Sequence, residues 1–440
     1  MLVMKFGGTS VGSAERIANV AKIVSSQKKK KPVVVVSAIT KMTDALIALA
    51  KECLEGKETT LSTIILTHQK ILDDLNLAHT LIEEDLQELR KLVDKTKRSK
   101  KLDPKIMDHF QSFGERMSSK MVAAQLTKVG LKAQAFNAWD LGMVTDEEFG
   151  DAEPLESSYA MLKKNIEKLS VVPVITGFLG KTATGEITTL GRGGSDYTGA
   201  IVGAAVGAES IQIWTDVNGI MTTDPRIVPQ ARTISELAFE EACELAYFGA
   251  KVLHPKTILP AMEKGIPVQV LNTFEPTNKG TTIVSSFEGR TESAAAVEAF
   301  SYKKNISLIT VNSPAFFDGS GLMSDIFEIF EKHKKSVDVI STSVVSVSLT
   351  VDSDERIDAI IKDLSKLGTV ELVKDKAIVC AVGGRSHAAS VVASIFSVLA
   401  KNSIPVEMIS QASSGISITF VVDNNDAQKA IALLHKEFFH

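Results

Sequence analysis

The first two thirds of the chain alternate short apolar runs with longer segments whose apolar residues recur at helical spacing. The predicted buried strands are residues 2–6, 33–37, 171–176, 211–215 and 268–271. The predicted helices between them are residues 14–27, 81–95, 159–169 and 235–248. This alternation predicts an α/β fold in which a mostly parallel sheet carries helices on both faces.

Two further patterns bound this first region. Residues 57–101 are rich in Leu, Glu and Lys at helical spacing, which predicts a helical excursion from the sheet at about residues 57–110. Residues 275–292 contain a cluster of turn-forming residues. We therefore place a first domain at residues 1–290.

The last third of the chain contains a repeat. Residues 326–350 align without a gap with residues 395–419, and Ile340 with Ile409 and Thr350 with Thr419 are among the identical pairs. Each copy predicts a strand, a helix, a strand, a hairpin strand and a helix. We therefore expect two ferredoxin-like βαββαβ modules, at residues 300–372 and 373–440.

Composition narrows the class of protein. Hydrophobic residues make up 44% of the chain and the formal net charge is -4, so there is no electrostatic case for binding nucleic acid or an anionic membrane. Cys53, Cys243 and Cys380 are far apart, which favours a reducing compartment over a disulfide scaffold or a zinc site. With no signal peptide or membrane span in the pattern, we expect a cytoplasmic protein.

Candidate chemistry lies where predicted strands end, the place where an open α/β sheet collects its ligands. Residues 5–13 and 189–198 are glycine-rich loops that lead into helices, and such loops let backbone N–H groups approach an anion. Lys5 and Arg192 add cations to these loops, and Asp196 adds a carboxylate that can orient a lysine or Mg²⁺. Further clusters follow at residues 214–226 and 248–255.

Taken together, these clusters resemble the aspartate kinase family. The segments that carry the resemblance are residues 5–10, 35–38 with Thr43, 113–116, 191–198, 214–219, 223–226 and 249–255, followed by the repeat. The resemblance implies an amino-acid-kinase-like αβα sandwich with a mostly parallel central sheet and two C-terminal ACT modules. Met221 departs from the family's usual tyrosine, and Val344 replaces a common glutamate.

The implied reaction is ATP + L-aspartate to 4-phospho-L-aspartate + ADP, the first step of the pathway to lysine, threonine, methionine and diaminopimelate. Because a free aspartate side chain is ionised at neutral pH, this chemistry requires no general base. ATP and Mg²⁺ are the expected cofactors, and we assign no metal ligand among the protein side chains. The residues expected to act in catalysis are Lys5, Asp196 and Lys251.

The resemblance also implies binding residues. The residues expected to bind aspartate are Ser37, Thr43, Glu115, Arg192 and Ser195, with Arg192 on the α-carboxylate and Glu115 on the ammonium. The residues expected to bind ATP are Lys5, Gly7, Gly8, Thr9, Ser10, Thr215, Asp216, Met221, Arg226, Lys251 and Val252.

The C-terminal modules are expected to sense an end-product amino acid. Residues 336–343 resemble the lysine-responsive stretch of the family, and Asp338 would face a ligand ammonium. The expected effector residues are Met323, Ser324, Asp325, Ser336, Val337, Asp338, Thr342 and Ser343. Because residues 411–414 resemble a segment of threonine-sensitive relatives, threonine remains an alternative to lysine.

Other interpretations stay open at this point. The chain could be another carboxylate kinase of the same fold, acting on glutamate, acetylglutamate or carbamate, or a catalytically inactive amino-acid sensor. Retention of Lys5, Asp196 and Lys251 speaks against the sensor. We expect a homodimer joined through residues 300–440, with a tetramer as the alternative, and a monofunctional enzyme because the chain ends after the second repeat.

Overall fold

The computed structural model describes residues 1–249, 253–285, 297–313, 321–383, 388–411 and 413–439. These residues form two compact units. The first consists of Met1–Ile220, Ser235–Phe239 and Val252–Phe287, and the second of Met221–Ile234, Glu240–Lys251 and Glu288–His440.

The elements follow in chain order, with short 3-10 turns at Lys28–Lys30, His79–Ile82 and Ala138–Leu141. Up to residue 284 they are β1 (Leu2–Phe6), α1 (Ala14–Ser26), β2 (Pro32–Val36), α2 (Met42–Leu54), α3 (Thr59–Leu75), α4 (Glu83–Ser99), α5 (Pro104–Lys128), β3 (Ala133–Phe136), β4 (Val144–Thr145), α6 (Ser157–Glu167), β5 (Val172–Thr176), β6 (Leu179–Thr182), β7 (Ile187–Thr189), α7 (Gly194–Val206), β8 (Ser210–Thr215), β9 (Glu236–Ala238), α8 (Phe239–Tyr247), α9 (Pro255–Glu263), β10 (Val268–Asn272) and β11 (Thr281–Val284). Beyond it they are β12 (Ala299–Asn312), α10 (Leu322–Lys332), β13 (Ile340–Thr342), β14 (Ser346–Asp352), α11 (Ile357–Leu364), β15 (Thr369–Val382), α12 (Ala389–Lys401), β16 (Met408–Gln411), β17 (Ser417–Asp423) and α13 (Ala427–Phe439).

The first unit is built on an eight-stranded sheet with the order β3-β5-β2-β1-β8-β10-β11-β9. All neighbouring pairs are parallel except β10 and β11. The predicted mostly parallel sheet is therefore confirmed. Because these strands run in the same direction, the carboxyl ends of β1, β2, β5 and β8 meet at one edge of the sheet. A ligand is expected there, and we call this edge the ligand edge.

The alternation of side chains along β1 determines which of its residues lie on each face of the sheet. Leu2, Met4 and Phe6 are fully buried in a core that α1 to α5 cover. Lys5 points to the opposite face, against α7. There, a Cβ added to Gly199 of α7 would lie only 3.3 Å from the Cβ of Lys5. The strand therefore delivers one lysine to the α7 face at the ligand edge of the sheet.

Residues 57–101 contain α3 and α4, as predicted, but the long helix α5 that follows them was not anticipated. The predicted helix at residues 235–248 is wrong at its start, since Glu236–Ala238 forms β9 and the helix begins at Phe239. Here pairing with β11 overrides the helical pattern, because it buries Leu237 and Ala238 and satisfies their backbone groups.

The second unit contains a six-stranded antiparallel sheet with the order β13-β14-β12-β15-β17-β16. The long strands β12 and β15 pair along their whole length. Strand β14 flanks residues 306–312 of β12, and β17 flanks residues 376–382 of β15. Each repeat thus completes a four-stranded βαββαβ-type sheet by using part of the other repeat's long strand. The module boundary that we predict between residues 372 and 373 falls inside β15.

Each repeat also has its own core. Ile326, Phe330 and Ile360 belong to the core under α10 and α11. Ile395 and Ile431 belong to the core under α12 and α13. Among the helices that the structure describes, none combines the length and the apolar character that crossing a membrane would require.

Candidate active site

A cavity of about 340 Å³ opens at the ligand edge of the first unit's sheet. It lies at the carboxyl ends of β1 and β2 and at the N-terminus of α7. The sequence-predicted residues that line it are Lys5, Gly8, Ser37, Thr43, Glu115, Ser195 and Asp196. Residues far apart in the chain, including four of the five expected to bind aspartate, thus lie around one cavity.

Lys5 and Asp196 form an ion pair in this cavity, with 2.5 Å between Lys5 Nζ and Asp196 Oδ1. Asp196 lies in the first turn of α7, where the helix dipole favours a carboxylate. The helix is capped by Gly193 at φ 71°, a left-handed conformation that glycine adopts without a Cβ clash. This ion pair holds the Lys5 ammonium in the cavity between the glycine-rich loops at residues 5–13 and 189–198.

Glu115 is fully buried beside this pair. Its Oε1 accepts a hydrogen bond of 2.9 Å from the Ala38 N–H, and its Oε2 has no hydrogen-bond partner among the described residues. Burial raises the pKa of Glu115 to about 8, although the Ala38 N–H and the Lys5 ammonium act in the opposite direction. An unpartnered carboxylate oxygen in a cavity wall is suited to an ammonium ligand.

The loop after β1 is only partly available to a phosphate. The Gly7 N–H donates to the Trp214 carbonyl at 3.1 Å, and the buried Ser10 hydroxyl lies 2.6 Å from Thr273 Oγ1. The Gly7 amide and the Ser10 hydroxyl are therefore engaged within the fold, and their role at the nucleotide stays a prediction. The Gly8 N–H has no such partner among the described residues, and a Cβ on Gly8 would lie 2.9 Å from the Ala38 carbonyl oxygen. Thr9 is half-buried beside it.

The loop before α7 carries Arg192, whose side chain is exposed and has no ion pair or hydrogen bond in the described structure. Asp108 of α5 anchors the start of this loop through hydrogen bonds. It accepts hydrogen bonds of 2.9 Å from the N–H and the hydroxyl of Thr189, and another of 2.9 Å from the Gly150 N–H. Burial raises the pKa of Asp108, while these three bonds lower it. The sequence motifs did not identify Asp108.

The other residues expected at the nucleotide site are spread over both units. Thr215 ends β8 in the first unit and Asp216 follows it, and the Thr215 hydroxyl donates to Asp216 at 3.3 Å. Met221 and Arg226 belong to the second unit. The Arg226 guanidinium is already paired with Asp224 at 2.6 Å. Lys251 and Val252 lie outside the described residues.

The expected effector residues lie in the second unit. Met323, Ser324 and Asp325 form the first turn of α10, as expected. Asp338 is partly engaged, because its Oδ1 accepts hydrogen bonds of 2.8 Å from the Lys303 ammonium and from the Tyr247 hydroxyl. Its Oδ2 is buried and has no hydrogen-bond partner in the part of the chain that the structure describes.

The remaining residues of that set surround the edge strand β13. Ser336 is exposed and Val337 is half-buried just before it, and Thr342 ends it. Ser343 lies 2.7 Å from Ser346 through the two hydroxyl oxygens. Within the described ranges, no group of three or more His, Cys, Asp and Glu residues could hold a metal ion.

Sequence reasoning missed several residues of the cavity wall. The missed residues are Ala38, Ile39, Thr40, Lys41, Asp44 and Phe178. Most of them follow β2 directly, and the position of Ser37 and Thr43 in the same segment was the available signal. Phe178 is held at φ 68°, a conformation that no sequence pattern indicated.

The amino acid kinase family matches residues 1–272, and the ACT domain family matches residues 379–438. The fold and the ligand edge described above agree with these matches. The class is therefore an amino acid kinase joined to an ACT regulatory region.

Whole-chain relatives narrow the class. The chain is 37% identical to "Aspartokinase 3, chloroplastic" of Arabidopsis thaliana over 99% of this chain and 81% of the relative. It is 36% identical to "Lysine-sensitive aspartokinase 3" of Escherichia coli over 100% and 99% of the two chains. The crystal structure of E. coli aspartokinase III in complex with aspartate and ADP superposes with a TM-score of 0.84, at 34% identity over 100% of both chains. The chain belongs to the aspartokinases.

Proposed function

We propose that this chain transfers the γ-phosphoryl group of ATP to the side-chain carboxylate of L-aspartate. The observation that carries the proposal is the cavity in which the Lys5–Asp196 pair lies beside the unpartnered Oε2 of Glu115. A similar structure binds aspartate and ADP. The site thus offers a cation for phosphate oxygens and an anion for an amino-acid ammonium within one cavity.

The charge of each cavity residue indicates which part of the substrates it binds. Lys5 and the free Gly8 N–H neutralise oxygens of the transferring phosphoryl group, and Asp196 keeps the lysine ammonium oriented toward them. Glu115 binds the substrate ammonium, and the unpaired guanidinium of Arg192 binds the α-carboxylate in a bidentate manner. Ser37, Thr43 and Ser195 supply hydroxyl groups at the cavity wall. The substrate carboxylate attacks as the anion, so no proton leaves it.

Mg²⁺ fits this site as a companion of the nucleotide. With no protein metal cluster among the described residues, the ion would be held mainly by the phosphates. When bound, Mg²⁺ would neutralise phosphate charge. The roles of Thr215, Met221, Arg226, Lys251 and Val252 at the nucleotide remain predictions.

The reaction is tested by trapping its product. Purified protein is incubated with ATP, Mg²⁺ and one acid at a time, and the acyl phosphate is captured with hydroxylamine. We expect a hydroxamate with aspartate and none with glutamate, acetylglutamate or carbamate. A product from one of those acids instead would assign another carboxylate kinase, and no product from any acid would favour the sensor.

Regulation by lysine belongs to the same proposal. The relative from E. coli is called lysine-sensitive, and a related structure contains lysine and aspartate in a T-state with a TM-score of 0.79. In this chain the partly unsatisfied carboxylate of Asp338 is the acceptor we propose for the effector ammonium. An effector inhibits only if it binds the inactive arrangement better than the active one.

Assembly and location complete the proposal. The exposed apolar side chains of Val344, Val345 and Ile409 support a homodimer through the ACT modules. A monomeric mass by light scattering at micromolar concentration would contradict it. The three free cysteines agree with a reducing, cytoplasmic location.

A further inference from the structure

Lys41 lines the cavity but has no role in the function proposed above. It lies between β2 and α2 and is the N-cap residue of α2. Its backbone is left-handed, with φ 64° and ψ 6°. In this region the Cβ of an ordinary residue is crowded, and glycine or asparagine is the usual occupant.

Two local penalties coincide at this lysine. The left-handed backbone disfavours any side chain with a Cβ, and a cation is unfavourable at a helix N-terminus because of the helix dipole. The other described lysines with positive φ are Lys31, Lys100 and Lys334. These three follow the C-terminal ends of helices, where a left-handed residue and a cation are both favourable.

No contact within the described chain offsets these penalties. The Lys41 side chain is exposed and makes no ion pair or hydrogen bond there. A strained residue retained without a structural partner is typical of a functional position.

The surroundings of Lys41 indicate which ligand it faces. The hydroxyl of the neighbouring Thr40 donates to the Gly8 carbonyl at 2.9 Å, which ties this turn to the glycine loop. A Cβ on Gly8 would lie 3.7 Å from the Thr40 nitrogen, so the turn and the loop are in close contact. The other lysine of the cavity, Lys5, is already paired with Asp196. Lys41 is thus the unpaired lysine among the residues that line this cavity.

We propose that Lys41 is a second catalytic cation, which binds the oxygens of the phosphoryl group during its transfer. The inference rests on the proposed aspartate kinase activity. In the step, a carboxylate oxygen forms a bond to the γ-phosphorus, and the bond from that phosphorus to the bridging oxygen breaks. ADP keeps the electron pair. Lys41 remains protonated and contributes charge alone.

The test uses Lys41→Met, Lys41→Arg and Lys41→Gly in the full chain, assayed for hydroxamate with ATP, Mg²⁺ and aspartate. We expect Lys41→Met and Lys41→Gly to lower kcat by on the order of 10²-fold, since a donor to transition-state charge is typically worth at least that much. The KM for aspartate should change less than threefold. Lys41→Arg should retain more activity than either.

The glycine variant separates catalysis from folding. Because glycine relieves the left-handed backbone, Lys41→Gly should melt at the same or a higher temperature than wild type while it loses activity. Lys31→Gly is the matched control, since it relieves a left-handed lysine outside the cavity and should leave kcat unchanged.

Three results would overturn the inference. An active wild type with an unchanged Lys41→Met would remove Lys41 from the reaction and leave the proposed function intact. A raised KM for aspartate at unchanged kcat would make Lys41 a substrate-binding residue instead. A wild type that produces no acyl phosphate would refute the proposed function and this inference together.

Discussion

A single register along β1 places the central lysine of the site. Residues on a strand alternate between the two faces, so the burial of Met4 and Phe6 in one core sends Lys5 to the other face. The end of the strand then brings Lys5 to Asp196 at the first turn of α7. A shift of one residue in this register would bury the ammonium in the α1–α5 core.

Lys5→Ala should therefore lower kcat on the order of 10²-fold or more, because it removes charge stabilisation from the transferred group. The KM for aspartate should change much less. Steady-state kinetics with Lys28→Ala, an exposed lysine, as the control will check this. A folded Lys5→Ala enzyme with near-normal kcat would remove Lys5 from phosphoryl transfer.

Glu115 makes aspartate binding dependent on pH. Its pKa of about 8 means that in the empty site it is mostly protonated at neutral pH, and an ammonium ligand requires the carboxylate. We expect the KM for aspartate to fall as the pH rises from about 6 to about 8.5 and to level off above that. In Glu115→Gln the KM should be high and independent of pH over this range. A wild-type KM with no pH dependence would contradict the role.

The same pKa shift affects stability with a definite sign. The folded pKa of Glu115 lies above the ordinary glutamate value of 4.5, so the folded protein holds the proton more tightly than the unfolded chain. The stabilising contribution of this proton is complete below the ordinary value and is lost as the pH rises through about 8. Glu115→Gln should therefore gain in melting temperature relative to wild type between pH 6 and pH 9, which thermal unfolding at the two pH values will measure.

At the scale of elements, helix α5 joins two parts of the substrate site. It carries Glu115 at the cavity, and two turns earlier it carries Asp108, which anchors the Thr189 end of the Arg192 loop. The distance between the expected ammonium and carboxylate ligands thus depends on one rigid helix.

Asp108→Ala should test this coupling. The N–H groups of Gly150 and Thr189 both donate to the same oxygen, Oδ2, so removal of the carboxylate leaves both donors without this acceptor, and the loop should shift. We expect the KM for aspartate to rise about tenfold, with the KM for ATP and kcat changed less than about threefold. Exposed Asp74→Ala is the control. Equal changes in both KM values, or none in either, would show that Asp108 does not position this loop.

At the scale of the whole molecule, the ACT region depends on two long strands that both repeats share. Each repeat needs part of the other's long strand for its four-stranded sheet, so neither is complete alone. Asp338 lies in this unit, where Lys303 and Tyr247 hold it. Lys303 also pairs with Asp352 at 2.9 Å.

Lysine should inhibit the wild-type enzyme, and Asp338→Ala should retain catalysis and lose this inhibition. Asp352→Ala is the matched control, because it removes the other carboxylate on Lys303 and should retain inhibition. Activity titrations with lysine, threonine and both together will check this. A wild type insensitive to lysine, or an Asp338→Ala enzyme still fully inhibited, would discard the assignment.

The sequence by itself determined the features that depend on local pattern. The apolar runs predicted the parallel strands, the glycine loops predicted the edge of the sheet where the cavity opens, and the internal repeat predicted the paired ACT modules. Backbone preference and side-chain periodicity act over a few residues, so a sequence displays them directly. The predicted start of a helix at residue 235 was wrong, because pairing of residues 236–238 with the distant strand β11 outweighed the local helical pattern.

Only the tertiary structure decided which groups meet and which are already used. It pairs Lys5 with Asp196, leaves Oε2 of Glu115 without a hydrogen-bond partner among the described residues, occupies the Gly7 amide and places Lys41 in the cavity wall. Asp108 became visible only through the loop that it anchors. Hydrogen bonds and ion pairs of this kind join residues that are distant in the chain, and their formation depends on burial and geometry, which no local pattern contains.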